Sequence, residues 1–294
     1  MMLLKLPGKI VKKFVCSLFM WAILSTVVTE WLGAQKYRSS PYSQLYHLNQ
    51  DTIQRNSLTD ADVIFVTAHP DDESMFFSPT IVELAKPDYN NALHLVCFSN
   101  GNYDGLGSIR EHELTRAAQI LGFQSFEILD YTDDITKGWD STAIASSLVS
   151  QLKSLPLSKP KKILITFDEE GVSGHINHKS LFDGVEAYSR KHSIRSFKLR
   201  SWSVFTKYSF FIVTNLELVA RFIKKSALTL KYLPQLTKVL PNEESTIKIY
   251  ANFNSWFLNL ATMTYAHYSQ IVWYRWLWIF FSRYMNCNEL EIVT

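Results

Sequence analysis

Two short polar clusters contain residue types that could together bind a metal ion and activate water. The first cluster is HPDDE at residues 69–73, and the second is GHINH at residues 174–178. His69 and Asp72 are three residues apart, so a turn can direct both side chains onto one cation. Asp71 is then left beside the ion, where its carboxylate could accept a proton from water.

The histidines of the second cluster could complete such a site. His175 and His178 are three residues apart and would share one face at the start of a helix. One of them would complete a His-Asp-His ligand set with an open position, as in catalytic zinc sites, and the other could stabilise developing negative charge. Alternatively, the first cluster is an acidic helix start stabilised by the helix dipole, and the second is a pair of surface histidines.

The predicted elements bring both clusters to one edge of a sheet. Short apolar runs alternate with segments of helical periodicity, which predicts βαβ units and therefore an α/β fold. The fold would be Rossmann-like, with a mostly parallel sheet and helices on both faces. Ligands bind beyond the carboxyl ends of such strands, where both clusters lie. The predicted strands are 61–68, 92–99, 125–130, 161–168 and 196–205, and the helices are 74–84, 109–121, 141–155 and 176–190.

Composition excludes several classes of protein. The 294 residues are 47% apolar with 10 Gly and 9 Pro, which excludes a disordered chain, a collagen-like repeat and a coiled coil. A net charge of +3 gives no indication of nucleic-acid binding. The three cysteines form neither a disulfide framework nor a metal knuckle, which favours a reducing compartment.

An uncharged apolar segment, residues 14–29, follows four lysines near the start of the chain. It predicts an N-terminal transmembrane helix in a membrane anchor at 1–33, a linker at 34–60, and one domain over 61–294. A cleaved signal peptide and a buried helix are the alternatives. The lysines would place the domain in a lumen, whereas the absence of any Asn-x-Ser/Thr acceptor in the sequence favours the cytosol, so the orientation stays open.

The C-terminal third of the chain combines positive charge with aromatic residues. Residues 198–238 hold eight basic residues and one acidic residue, and they include the apolar segment 210–223. This pattern suits an anionic membrane surface, although a core helix with a solvated basic rim would look the same. The aromatic run 271–285 is either core or an interfacial element.

These motifs resemble those of the PIG-L/LmbE-like family of metal-dependent de-N-acetylases. The resemblance covers about residues 61–290 and rests first on AHPDDE at 68–73 and HxxH at 175–178. Its further matches are Ser99 to Asn102, Gly105 to Gly107, Arg110 with Glu113 and Leu114, Ala118 with Leu121 and Gly122, and Ala266 to Gln270.

The resemblance implies a role for each residue of the two clusters. Three residues would bind a divalent metal ion, with Zn²⁺ expected: His69, Asp72 and His178. Asp71 would be the general base toward water. His175 would stabilise the oxyanion or protonate the leaving amine.

Three residues outside the ligand set also match the family pattern. Arg110 would contact the sugar or phosphate of the substrate, and Glu73 would support the ligands from behind. His267 has no assigned role. The pair of intact motifs implies an active enzyme.

The implied reaction is hydrolysis of the N-acetyl group of an amino sugar. With the apolar N-terminal segment, the resemblance implies a glycolipid substrate built on phosphatidylinositol, in the second step of glycosylphosphatidylinositol-anchor biosynthesis. The expected location is the endoplasmic reticulum membrane, as a single-pass protein with its catalytic domain on the cytosolic face. No nucleic-acid partner is expected, and no protein partner is assigned. The alternatives are an LmbE-type deacetylase of a soluble acetylated amino sugar and a non-catalytic, membrane-tethered binding module.

Overall fold

A seven-stranded sheet organises the chain in the computed structural model, which describes residues 8–28, 47–230 and 246–293. Its strands are β1 (Ala61–Thr67), β2 (Ala92–Cys97), β3 (Ser125–Ile128), β4 (Lys161–Phe167), β5 (Arg195–Leu199), β6 (Ile247–Tyr250) and β7 (Cys287–Ile292). The strand order is β3-β2-β1-β4-β5-β7-β6. The first five strands in that order are parallel, whereas β7 runs antiparallel to both β5 and β6.

Helices connect the parallel strands and cover the sheet. The longer ones are α1 (Gly8–Ala22), α2 (His47–Arg55), α3 (Ser78–Leu84), α4 (Gly107–Leu121), α5 (Ser141–Ser154), α6 (Ile176–His192), α7 (Ile212–Leu230), α8 (Phe253–Ala261) and α9 (Trp273–Phe281). The chain moves outward from β1 to β3 and then returns to β4 and β5. Right-handed crossovers therefore place α3 and α4 on one face and α5 and α6 on the other.

The central strands have the composition of a buried parallel sheet. Every residue of β1 and β2 is buried, because both faces of these strands are covered. Phe65 illustrates the packing, with its ring edge-to-face to Phe77 and Phe123 at centroid distances of 6.0 and 5.9 Å. The mixed α/β sheet with helices agrees with the predicted class, and β1 to β4 start at the predicted residues.

The predicted N-terminal transmembrane helix is wrong. The segment forms the 15-residue α1 and a following π-helix, Ile23–Val28, and no helix in the described ranges is long and apolar enough to cross a bilayer. Instead the segment packs on the domain: Trp21 is fully buried and stacks on Phe211 at 4.7 Å, and Asn215 donates to the Ser17 carbonyl at 3.0 Å. The predicted single-pass location in the endoplasmic reticulum membrane is wrong for the same reason.

Three other regions differ from the sequence-based expectations. Residues 47–55, within the predicted linker, form α2, while 29–46 lie outside the described residues. The predicted fifth strand ends at Leu199 rather than at residue 205. Strands β6 and β7 were not predicted, since their alternating polar residues do not form apolar runs.

Several basic side chains of the stretch at 198–238 form hydrogen bonds within the fold. Lys198 donates to Glu169 at 2.7 Å, and Arg221 donates to the Thr52 hydroxyl at 2.8 Å. Lys207 is buried and donates to the Val172 carbonyl at 2.7 Å. Residues 231–238 of the stretch lie outside the described part of the chain.

Candidate active site

The two polar clusters meet beside the centre of the sheet. Strands β1 and β4 are neighbours, and the chain leaves them toward opposite faces, which opens a crevice between their carboxyl ends. The first cluster follows β1 and the second follows β4. A cavity of about 360 Å³ lies there, lined by both clusters together with Arg110, Asp133 and Arg275.

Three histidine rings and one carboxylate converge in this crevice. His69, His175 and His178 each offer a ring nitrogen, and these atoms lie within 4.8 Å of one another. The Asp72 carboxylate lies between two of the rings, with Oδ1 3.3 Å from His178 Nε2 and Oδ2 3.8 Å from His69 Nδ1. The site is therefore rich in the donor atoms that zinc and related ions bind.

The tautomer of His178 is fixed by its second nitrogen. Nδ1 lies 3.1 Å from the Gly171 carbonyl, so this nitrogen carries the proton in the neutral ring. Nε2 is buried and has no hydrogen-bond partner among the described residues, although it faces the Asp72 carboxylate. A buried lone pair that faces a carboxylate is unfavourable unless a cation lies between them, so the donor set fits a divalent metal ion.

His69 is oriented in the same way by a residue that was not predicted. Its Nε2 lies 3.1 Å from Asp133 Oδ1, and it also faces the Asn177 amide at 3.3 Å. Asn177 is satisfied when its nitrogen donates to the carbonyls of Lys137 and Asp134, which turns its oxygen toward His69. When Nε2 of His69 carries the proton, Nδ1 of the same ring keeps its lone pair, and this lone pair is directed at the Asp72 carboxylate.

The electrostatic field of the crevice favours positive charge. Burial opposes ionisation of Asp72, but the adjacent His178 and His69 rings and a backbone hydrogen bond hold its pKa well below the usual range. Burial also opposes the charged form of His69, but the Asp133 hydrogen bond and the charge of Asp72 raise its pKa. An electrostatic field that favours a proton on His69 also favours a metal cation at the position of that proton.

Asp71 is held in an unusual backbone conformation at the edge of the crevice. Its φ is 110°, a region that non-glycine residues adopt only when the surroundings enforce it. Its N–H donates to Glu73 Oε2 at 3.1 Å, and its carbonyl accepts from Met75 at 2.8 Å. Its side chain lies between two guanidinium groups, with Arg275 Nη2 at 2.9 Å and Arg110 Nη2 at 3.6 Å.

Glu73 lies behind this turn and pairs with a distant histidine. Its Oε1 lies 2.5 Å from His267 Nε2 and accepts from the Ser74 hydroxyl at 2.7 Å, and both members of the pair are buried. Burial opposes both charges, but mutual attraction lowers the pKa of Glu73 and raises that of His267. The pair joins the C-terminal part of the chain to the Asp71 turn, which gives His267 a position that the sequence left unassigned.

Arg110 lies at the crevice, although the protein itself uses part of its hydrogen-bonding capacity. Nη1 donates to the Gly101 carbonyl at 3.0 Å, and Nη2 donates to the carbonyl of Pro70. A Cβ at position 101 would lie 2.6 Å from the guanidinium, so glycine is required there for close approach. Nε is buried and has no acceptor among the described residues.

His175 is the third histidine of the crevice and lies at the start of α6. It precedes α6 and caps it, since Nδ1 accepts from the Asn177 N–H at 3.3 Å. Burial and the neighbouring His178 and His69 lower the pKa of His175 to about 4, so the ring is neutral near pH 7. Since Nδ1 accepts the hydrogen bond from Asn177, the proton of the neutral ring lies on Nε2.

Two residues of the crevice, Asp133 and Arg275, were not predicted as site residues. Asp133 follows β3, so the rule that ligands lie beyond strand ends could have indicated it. Arg275 interrupts the aromatic run 271–285, and a charge within an apolar helix was the available signal.

Comparisons with known proteins agree on one family. The profile of the PIG-L family, described as GlcNAc-PI de-N-acetylase, matches residues 64–189. A probable N-acetylglucosaminyl-phosphatidylinositol de-N-acetylase of Schizosaccharomyces pombe is 34% identical over 252 residues, covering 84% of this chain and 92% of the relative. The Saccharomyces cerevisiae N-acetylglucosaminyl-phosphatidylinositol de-N-acetylase is 34% identical over 254 residues, covering 80% and 82%.

Solved structures include more distant matches. The N,N'-diacetylchitobiose deacetylase of Pyrococcus horikoshii aligns with a TM-score of 0.45 and 16% identity, covering 82% of this chain and 86% of that protein.

Proposed function

Because the chain belongs to the PIG-L family of de-N-acetylases, which are hydrolases, we propose that it removes the acetyl group from N-acetylglucosaminyl-phosphatidylinositol. The products would be glucosaminyl-phosphatidylinositol and acetate. We place this reaction in glycosylphosphatidylinositol-anchor biosynthesis, as its second step. The curated relatives named above, which match over most of their length, support this substrate.

One observation carries the proposal: Nε2 of His178, which has no hydrogen-bond partner in the described part of the chain, faces the Asp72 carboxylate at 3.3 Å, beside the carboxylate of Asp71. We propose that His69, Asp72 and His178 bind a divalent metal ion at this point, with Zn²⁺ as the expected ion. Two imidazoles and one carboxylate suit zinc and leave a position open for the reaction. A bound ion would polarise the acetyl carbonyl and acidify a water molecule.

Asp71 is the proposed general base. Its carboxylate lines the crevice, where Arg275 Nη2 at 2.9 Å and Arg110 Nη2 at 3.6 Å hold it in place. General-base catalysis of this kind contributes roughly 10²–10⁴-fold to the rate. The enforced φ of Asp71 aims the carboxylate before substrate arrives, so no reorganisation is needed in the reaction.

His175 is the proposed donor to the developing oxyanion. Its neutral ring carries the proton on Nε2, so it can donate a hydrogen bond to the acetyl oxygen as negative charge grows there. The neutral ring keeps this proton, so the leaving amine would take the proton that Asp71 accepts from water. Arg110 would position the sugar or phosphate, and Glu73 would hold the Asp71 turn in place.

The decisive experiment measures acetate release by purified protein from N-acetylglucosaminyl-phosphatidylinositol, with and without a chelator. We expect release that the chelator stops and that added Zn²⁺ restores. No release from this lipid, with release from a water-soluble N-acetylglucosaminyl-inositol or chito-oligosaccharide, would contradict the proposed substrate and favour the LmbE-type alternative.

A further inference from the structure

A second cavity lies beside the crevice and has a different chemical character. It has a volume of about 570 Å³, within the range of small-molecule sites, and its walls are mainly aromatic and aliphatic. Phe76 and Trp278 form its floor with their rings 5.3 Å apart, and the Trp278 indole is fixed by donation to the Met75 carbonyl at 3.3 Å.

This apolar cavity adjoins the crevice. Five residues line both spaces: Met75, Phe76, Ser173, Tyr274 and Arg275. Arg275 marks the boundary, since its guanidinium binds Asp71 on the polar side while the next helical turn, at Leu277 and Trp278, lines the apolar side. A ligand with a polar head in the crevice can therefore extend an apolar group into the second cavity.

Exposed apolar residues line the opening of the apolar cavity to solvent. Tyr208, Tyr274 and Leu277 line the cavity and are about half exposed. Next to them in the chain, Phe205 is 91% exposed and Trp273 is 76% exposed. Large apolar residues concentrated in this way mark a site of contact with an apolar partner.

We propose that the apolar cavity binds an acyl chain of the glycolipid substrate while its acetylated sugar lies in the crevice. This inference rests on the proposed function, because it assigns a place to the lipid part of that substrate. The five wall residues shared with the crevice favour the substrate's own chain as the occupant, because they place the apolar cavity within reach of a ligand whose head lies at the site of hydrolysis. The exposed aromatic residues at the mouth suit a chain that enters from a lipid surface.

Water-soluble substrates are suited to test the cavity. An acyl chain that moves from water into the cavity gains the full free energy of burying its apolar surface. The test compares kcat/KM for N-acetylglucosaminyl-phosphatidylinositol with two eight-carbon chains, kept below its aggregation concentration, and for the chain-free N-acetylglucosaminyl-inositol phosphate. We expect the short-chain lipid to be preferred by more than about tenfold, since each buried methylene contributes roughly fourfold.

Leu277→Trp fills the mouth of the cavity, and Leu277→Gln removes its apolar character without added bulk. Both should reduce the preference for the acylated substrate toward one. Leu216→Trp is the matched control, because Leu216 is 65% exposed on α7 and does not line the cavity, so it should leave the preference unchanged. Thermal unfolding verifies that each variant is folded.

A binding measurement separates the two proposals. Calorimetry with dioctanoyl-phosphatidylinositol and with glycerophosphoinositol needs no turnover, and we expect the acylated ligand to bind more tightly with a negative heat-capacity change that Leu277→Trp reduces. Acetate release with equal kcat/KM for both substrates would overturn the acyl site and leave the proposed function intact. Tighter binding of the acylated ligand without acetate release from any substrate would overturn the function and support the acyl site.

Discussion

Arg275 and Asp71, separated by 204 residues in the chain, form an ion pair with Nη2 and Oδ2 2.9 Å apart. The pair orients the proposed base, so Asp71→Asn should remove proton acceptance while keeping the size of the side chain. We expect kcat to fall by about 10²–10⁴-fold with metal content unchanged, measured by acetate release and elemental analysis. Asp88→Asn, on an exposed turn, is the matched control. Wild-type turnover by Asp71→Asn would rule out the proposed mechanism.

Removal of a proposed ligand should release the metal ion. His178→Ala removes one of the two imidazoles that face Asp72, so we expect metal content well below one equivalent and loss of activity. His112→Ala, on the exposed side of α4, should keep both. Full metal content in His178→Ala would contradict the proposed ligand set, and loss of metal in His175→Ala as well as in His178→Ala would show that His175 also binds the ion.

Asp133 should affect metal affinity without touching the ion. Asp133→Asn weakens the acceptor that fixes His69 Nε2, and changes of this kind typically reduce metal affinity by 10–100-fold. Titration with a competing chelator measures the effect. Asp134→Asn is a close control, because the Asp134 side chain hydrogen-bonds to Thr136 instead. Equal affinities for the two variants would remove Asp133 from the site.

The buried Glu73–His267 pair should make stability depend on pH. The pKa of His267 is raised above 6.5, so its contribution is complete below pH 6.5 and is lost as pH rises through the folded-state pKa. The pKa of Glu73 is lowered below 4.5, so its contribution is present above pH 4.5 and is lost as pH falls through the folded-state pKa. Both contributions therefore operate together between pH 4.5 and 6.5.

His267→Ala leaves the Glu73 carboxylate buried without its partner, which should lower the free energy of unfolding by about 3–5 kcal/mol at pH 6. Denaturant unfolding of wild type and variant from pH 5 to 9 measures this, and the difference should shrink at high pH. Adding Glu73→Gln to His267→Ala should recover part of the loss. A pH-independent difference would mean that packing rather than charge stabilises the pair.

The N-terminal helix should contribute to the stability of the domain. Trp21→Ala empties a fully buried position against Phe211, and we expect a loss of about 3–5 kcal/mol in the free energy of unfolding. Phe19→Ala changes a side chain that is 65% exposed on the same helix and should cost less than about 0.5 kcal/mol. Equal effects would contradict the packing of α1.

The central parallel strands β1 and β2 were predictable because they are buried on both faces. Runs such as Ala61–Thr67 show no alternation of polar and apolar residues. The positions at which these runs end predicted where the crevice lies. The antiparallel strand Cys287–Ile292 was not predictable in this way, because its pairing with β5 and β6 depends on contacts between distant segments. The N-terminal segment was assigned to a membrane because an apolar run does not reveal whether lipid or protein covers it.

Within the site, the local motifs placed His69, Asp71, Asp72, His175 and His178 in one crevice. Asp133 and Arg275 reach it from a loop and from a helix that carry no recognisable motif. Their contribution depends on long-range packing, which brings Arg275 to Asp71 and Asp133 to His69.

The strand order of the sheet also determines how late in translation the fold can be completed. Strand β7 is the last of the seven to be synthesised, yet it lies between β5 and β6, and its Asn288 donates to the Phe76 carbonyl at 2.7 Å beside the crevice. A nascent chain that stalls before residue 288 therefore has an open sheet edge and an unsupported Phe76, even though every proposed metal ligand has already been translated. Such a chain would carry complete catalytic motifs on an incomplete sheet, and an exposed strand edge of this kind makes a partly folded chain prone to aggregation.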